Sequence, residues 1–169
     1  MYFEIIRQFH QTLGNLDAIL GKAEAYAAER KFDVNNFMTA RLAPDMLPFA
    51  VQVRIACDAS KGAAANLSGQ VAPKHADDET TIAELRARIG KVREYLAGFK
   101  AEDFAGTTAT KLVPIPYPPG KLMQAQEYAL GRQVPNFFFH VSMTYALLRA
   151  GGVPIGKTDY LGALNILDA

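Results

Sequence analysis

Asn136 and His140 stand four residues apart in the most apolar stretch of the chain, so on a helix both project from one face and can share a ligand. Imidazole is a good transition-metal ligand, whereas a neutral amide oxygen is a poor replacement for a second imidazole on zinc or nickel. A tightly held ion therefore needs further donors, and Gln52 and Asp58 on an earlier helix are the candidates. The residues favour an interior histidine held by a hydrogen bond, because buried polar groups are normally paired. Cys57 suits a small core position better than a thiolate. His10, beside Phe9, and His75, in a polar connection, have no second ligand at helical spacing and are expected in surface or packing roles. Ser142 is two residues from His140 and points elsewhere on a helix, so no serine nucleophile is supported. Asp58 and Lys61, three apart, can form an ion pair, which at an exposed site stabilises by about 0.2 to 0.5 kcal/mol.

A second string invites chemistry. Gly151 to Thr158 satisfies the glycine-rich spacing that cradles phosphate with backbone amides and sets a lysine on its terminal oxygens. That loop should follow a strand and open a helix whose N-terminus faces the anion. In this chain it follows a helical pattern, and the short remainder after Thr158 is too little for the helix and sheet required. Nucleotide hydrolysis is not expected. Gly151 and Gly152 are read as a helix stop, followed by an ordered tail in which Tyr160 and Leu161 cover the core.

The elements that must position these groups follow from hydrophobic spacing. Phe3, Ile6, Phe9, Leu13, Leu16 and Leu20 recur at steps of three or four, predicting a first helix over 2–30. Asp45 as a cap and Pro48 in the first turn start a second helix over 46–68, with Met46, Phe49, Val53, Ala56, Ala63 and Leu67 inward and Gly69 as its stop. Thr81 and Glu84 have capping-box spacing before the stripe Ile82, Leu85, Ile89, Val92, Leu96 and Phe99. Between Lys111 and Tyr117 the period changes to two, with Val113 and Ile115 alternating with Leu112, Pro114 and Pro116. Pro118, Pro119 and Gly120 form a turn, so a proline-rich edge hairpin is expected. Gln126 to Gln133 fits a helical turn or a loop equally well. Pro135 begins or kinks a last helix whose Phe137, Phe138, Phe139, Val141, Met143, Tyr145, Leu147 and Leu148 surround it, as in an element buried between neighbours.

Composition bounds the rest. The chain has 169 residues, half of them apolar, enough for one domain over 1–169 with its own core. Eighteen Lys and Arg against seventeen Asp and Glu leave a formal charge of +1, without the basic field that grips nucleic acid. The single cysteine excludes an internal disulfide and suits a reducing cytoplasm. The opening stretch from Met1 to Gln11 has no basic leader before an apolar run, and no segment is apolar enough for a membrane span, so neither export nor membrane insertion is expected.

Pro135 to His140, Tyr145 to Arg149 and Gly152 to Gly162, with Leu42 to Met46, Gln52, Val53, Asp58 and Lys61, resemble a bacterial family of unassigned function, domain of unknown function 1993, within the DinB/YfiT-like superfamily. The resemblance spans nearly the whole chain. It implies an all-α antiparallel four-helix bundle, with the proline-rich hairpin inserted before the last helix, that pairs into a homodimer. Many DinB-like proteins bind a divalent metal through one histidine on the second helix and two on the fourth, and some transfer thiols or hydrolyse substrates. Matched to that pattern, His140 is the one surviving imidazole, Asn136 replaces its partner and Gln52 falls at or near the second-helix ligand. What this implies is a degenerate metal site that holds no ion tightly and a cleft at Gln52, Asn136 and His140 that keeps a small ligand. The rival expectations are a metal-dependent enzyme of the DinB type, with His140 its only ligand by this match, and an interaction protein docking through the hairpin at 111–121.

Overall fold

The computed structural model describes residues 1–115 and 117–167. Four long helices build the core: α1 over Tyr2–Arg30, α2 over Phe49–Ser68, α3 over Ile82–Ala97 and α4 over Val134–Ala150. The predicted stripe of α1 is buried from Ile6 to Leu20, with Phe3 at its partly exposed edge. The helix ends where Lys31 takes a left-handed φ of 60° and the Phe32 amide reaches back to the Ala27 carbonyl. α3 lies along α1 in the opposite sense, since Arg86 grips Asp17 and Glu24 while Arg93, a turn or two later, packs on Gly14. Its capping box is formed as expected, with Thr81 accepting from the Glu84 amide and Glu84 accepting from the Thr81 amide.

α2 starts three residues later than its spacing predicts. Pro48 disfavours the helical conformation for Leu47, so Pro48 itself becomes the cap residue and its carbonyl takes the first helical bond, from Gln52. Asp45 caps nothing and lies exposed in the preceding turn, and Met46 stays outside the core. The rest of the α2 stripe is buried, and Gly69 ends the helix with a φ of 83°.

The helical elements outnumber the four expected. A 3-10 turn at Val34–Thr39 tucks Phe37 and Met38 under the bundle, another spans Ala101–Phe104, and a five-residue helix, α5, covers Lys157–Leu161. The hairpin forms where the period changes, as β1 over Leu112–Ile115 and β2 over Lys121–Gln124, paired antiparallel with Val113 opposite Met123. Val113 is buried and Tyr117 stands exposed at the tip; Pro116 lies outside the described residues. The ambiguous stretch before α4 is helical but wound wide: Glu127–Gln133 is a π-helical turn leading directly into α4. Pro135 therefore follows the wide turn inside one continuous helical run, and having no amide hydrogen it contributes no backbone donor where that winding passes into α4. α4 is not buried all round, since Phe139 is 50% exposed. Among the described residues, no helix is long and apolar enough to cross a membrane.

Candidate functional site

The second and fourth long helices run antiparallel, and polar side chains line the seam between them. At one end the His140 Nδ1 lies 2.7 Å from Gln52 Oε1. The Gln52 amide nitrogen is fixed by the Leu47 carbonyl at 2.9 Å, so its oxygen must face the ring and Nδ1 must be the protonated donor. His140 is thus held in one tautomer, with Nε2 unprotonated and without a hydrogen-bond partner among the described residues. Burial pushes its pKa down, which keeps the ring neutral near pH 7. Gln52 is 2% and His140 7% exposed, so the histidine is interior and hydrogen-bonded as expected, and its partner is Gln52, which the sequence offered only as a candidate ligand.

Asn136, one turn before His140, is not part of that pair. It lies half-buried on the wall of a groove of about 510 Å³ formed by α2, the hairpin and the π-helical turn. Ile55, Ala59, Pro114 and Ile115 give this groove an apolar surface, and Asp58, Arg132 and Asn136 give it a polar one. At its floor Tyr128 and Gln133 are buried, and the phenol oxygen lies 2.8 Å from both the Gln133 and the Asn66 amide nitrogens. Another cleft, of about 500 Å³, runs along α1 and α3, but the polar groups on it include the exposed side chains of Glu4 and Arg7.

Spacing along an α-helix gives no reason to link Tyr128 with Gln133, because five residues at 3.6 per turn separate side chains by about 140°. The π-helical turn removes that offset and sets them in contact. Arg88 was legible in principle, as a cation on the inward face of α3 between Leu85 and Val92. Its side chain is 1% exposed and bonds Asp58, Asp77 and Glu79, while Arg54 also holds Glu79. Burial alone would depress the Arg88 pKa, but its bonds to Asp77 and Glu79 and the charge of Asp58 raise it. Asp58 does meet Lys61, at 2.8 Å, yet Lys61 is buried, not exposed as a simple surface pair would be. Lys61 also lies 2.6 Å from Nδ1 of His75, which ties the 70–80 connection down. Asp58 therefore faces the groove with its charge compensated from behind by two cations.

The donor set does not suit a DinB-type metal centre. Both amide atoms of Gln52 are spent on Leu47 and His140, which leaves one imidazole nitrogen where such a site needs three donors. Among the described residues no group of three or more His, Cys, Asp or Glu is placed to hold an ion. Cys57 is fully buried and its thiol is pushed up to about 12 by burial, as a core residue rather than a nucleophile. The glycine-lysine-threonine string opens α5 after the α4 stop, with no strand before it. Asp159 caps the Gly156 amide at 2.8 Å and accepts from Lys22. Tyr160 packs on Tyr145 as a covering residue, whereas Leu161 is 40% exposed.

A family model, Domain of unknown function (DUF1993), matches residues 1–161. The chain is similar in structure to a DinB family member protein from Shewanella denitrificans, with a TM-score of 0.92 and 44% sequence identity, covering 99% of this chain and 95% of that one. No curated protein matches the chain.

Proposed function

The chain belongs to the DUF1993 family of DinB-like proteins, and from that premise we propose that it is a four-helix-bundle protein of the cytoplasm that binds a small molecule in the groove formed by α2, the hairpin and the π-helical turn, with Asn136 of α4 on its wall. The observation carrying this reading is the groove itself: an apolar wall of Ile55, Ala59 and Ile115 faced by a few convergent polar groups, the usual make-up of a small-molecule site. The side-chain amide of Asn136 makes no hydrogen bond among the described residues, so it is available to a ligand. Gln52 and His140 close the seam beyond it, and the neutral Nε2 can accept a hydrogen bond from a ligand that reaches that far. Pairing of two copies is part of the proposal, supported by Leu112 and Leu122, which leave apolar surface on the outer face of the hairpin.

A thermal-shift screen of small molecules on the full chain tests the reading, because a ligand that binds only the folded state raises Tm. Compounds that raise Tm in the natural protein and lose the shift in Asn136→Leu support it. A screen without stabilising compounds, or shifts retained in Asn136→Leu, overturns it. Elemental analysis of protein purified without chelator or affinity tag tests the metal-dependent alternative, which requires a stoichiometric ion that His140→Ala loses without unfolding.

A further inference from the structure

The floor of the groove contains a hydroxyl whose hydrogen the fold does not use. Asn66 donates to the Pro114 carbonyl at 3.1 Å and to the Tyr128 oxygen at 2.8 Å through the same nitrogen. Gln133 does likewise to the Ala59 carbonyl at 3.2 Å and the Tyr128 oxygen at 2.8 Å. Neither amide can flip without turning its oxygen onto a backbone carbonyl, so both must present N–H to the phenol. The Tyr128 oxygen therefore accepts two hydrogen bonds, and its own hydrogen has no acceptor among the described residues. Tyr128 is 0% exposed as a residue, and a buried donor left unmatched is costly. Burial holds the pKa of Tyr128 above its ordinary value against the two incoming bonds, so the hydrogen stays on the oxygen at neutral pH.

Gly62 supplies an independent observation. It sits in the middle of α2, where glycine is a poorer helix former than alanine. Nothing inside the protein demands it, since an added Cβ would meet only the Gln133 nitrogen at 3.8 Å and the Tyr128 oxygen at 4.0 Å, ordinary contacts. The missing methyl keeps α2 from crowding the phenol at the floor of the groove, which Gly62 and Tyr128 line together. A π-helical turn, a winding often found at functional sites, puts the phenol there.

We infer that Tyr128, held by Asn66 and Gln133 at the groove floor beside Gly62, donates its hydroxyl hydrogen to the carboxylate of a small acid whose apolar body lies along Ile55, Ala59 and Ile115. The charge follows from the same wall. Among the described residues Arg132 has no carboxylate partner and only a 3.4 Å bond to the Tyr117 carbonyl, while Asp58 is already neutralised by Arg88 and Lys61. This assignment rests on the small-ligand reading above and specifies its ligand class.

Calorimetric titration of the full chain with octanoate, and with octan-1-ol as the head-group control, tests it. The expected result is saturable octanoate binding, at least about tenfold weaker for the alcohol and for Tyr128→Phe, the loss of one hydrogen bond to a charged group. Because Tyr128→Phe strands two amide N–H groups and can weaken the fold, Gly62→Ala is the second variant. It adds a favourable helix residue, places a methyl against the phenol and is expected to bind octanoate about tenfold less tightly while melting no lower than the natural protein. Absence of octanoate binding, equal binding of octan-1-ol, or undiminished binding by folded Tyr128→Phe and Gly62→Ala overturns the inference. If octanoate affinity falls in Asn136→Leu but not in those two variants, this inference fails and the small-ligand reading stands. If the wider screen also finds nothing, both fail.

Discussion

The imidazole of His140 is fixed by a single amide, and that makes its stability contribution easy to isolate. Gln52→Leu removes the acceptor and leaves a buried Nδ1–H unmatched, so unfolding free energy from urea titration should drop by about 1 to 3 kcal/mol. Gln52→Glu should instead place a carboxylate against Nδ1 and raise the pKa of His140, visible as an upward shift in the NMR titration of its ring protons. In the natural protein that pKa is lowered by burial, as are those of His10 and His75. Each ring binds its proton more weakly folded than unfolded, so the unfolded chain takes up more protons as pH falls below the unfolded value of about 6.5. Stability should therefore be level with respect to these groups above pH 7 and decline toward pH 5, and His140→Gln should flatten part of that decline in urea midpoints measured across the range. Positions 52 and 140 were readable as candidate donors on the second and last helices, and the family resemblance, not helical period, brought them together. The division of labour was not readable, because the tautomer depends on what Leu47 does to the amide, a backbone contact that no side-chain pattern announces.

Among the elements, the connection at 70–80 depends most on one side chain. It has no regular structure of its own, and Arg88 from α3 holds it through Asp77 and Glu79 while Lys61 from α2 holds it through His75. Arg88→Met keeps the stem's packing but removes the guanidinium. Glu79 then retains Arg54, and Asp58 and Asp77 are partly exposed, so the cost should fall below that of a fully stranded buried charge, on the order of 1 to 3 kcal/mol. Limited proteolysis should cut between residues 71 and 78 faster in Arg88→Met than in the natural chain, whereas Thr81→Ala, which loses only the α3 cap, should cost about 1 kcal/mol without opening that segment. Element by element, the helices with unbroken stripes were legible and their exceptions have local causes. Pro48 moves the start of α2 because of what its ring does to Leu47. The wide turn at Glu127–Gln133 escaped because a period of 3.6 cannot register a contact between residues five apart.

At the scale of the whole molecule, a short string is outweighed by the architecture around it. Gly151 to Thr158 carries the spacing of a phosphate loop, but α5 folds back on α1: Asn15 donates to the Tyr160 carbonyl at 3.1 Å and Lys22 meets Asp159. Tyr160 joins this segment to α4 through Ser142 at 3.0 Å and the edge of Tyr145. The overall bundle and its hairpin were legible in the sequence because each element satisfies its own period. The placement of this tail was legible in part: a helix in place of the required strand excluded a phosphate loop and Tyr160 was expected to cover the core, whereas α5 and its contacts with α1 were not foreseen. The two readings of the string separate by substitution. In a phosphate loop the lysine is indispensable and the later tyrosine incidental. In a covering segment Lys157, exposed and without an ion pair among the described residues, should be replaceable by alanine with no change in urea midpoint. Tyr160→Ala should lose about 1 to 3 kcal/mol, part of the cost of truncating a fully buried aromatic because this ring is only half covered. Thermal melts with and without magnesium-ATP should coincide for the natural chain and for Lys157→Ala, and a rise in Tm with the nucleotide that Lys157→Ala abolishes would assign the string to phosphate after all.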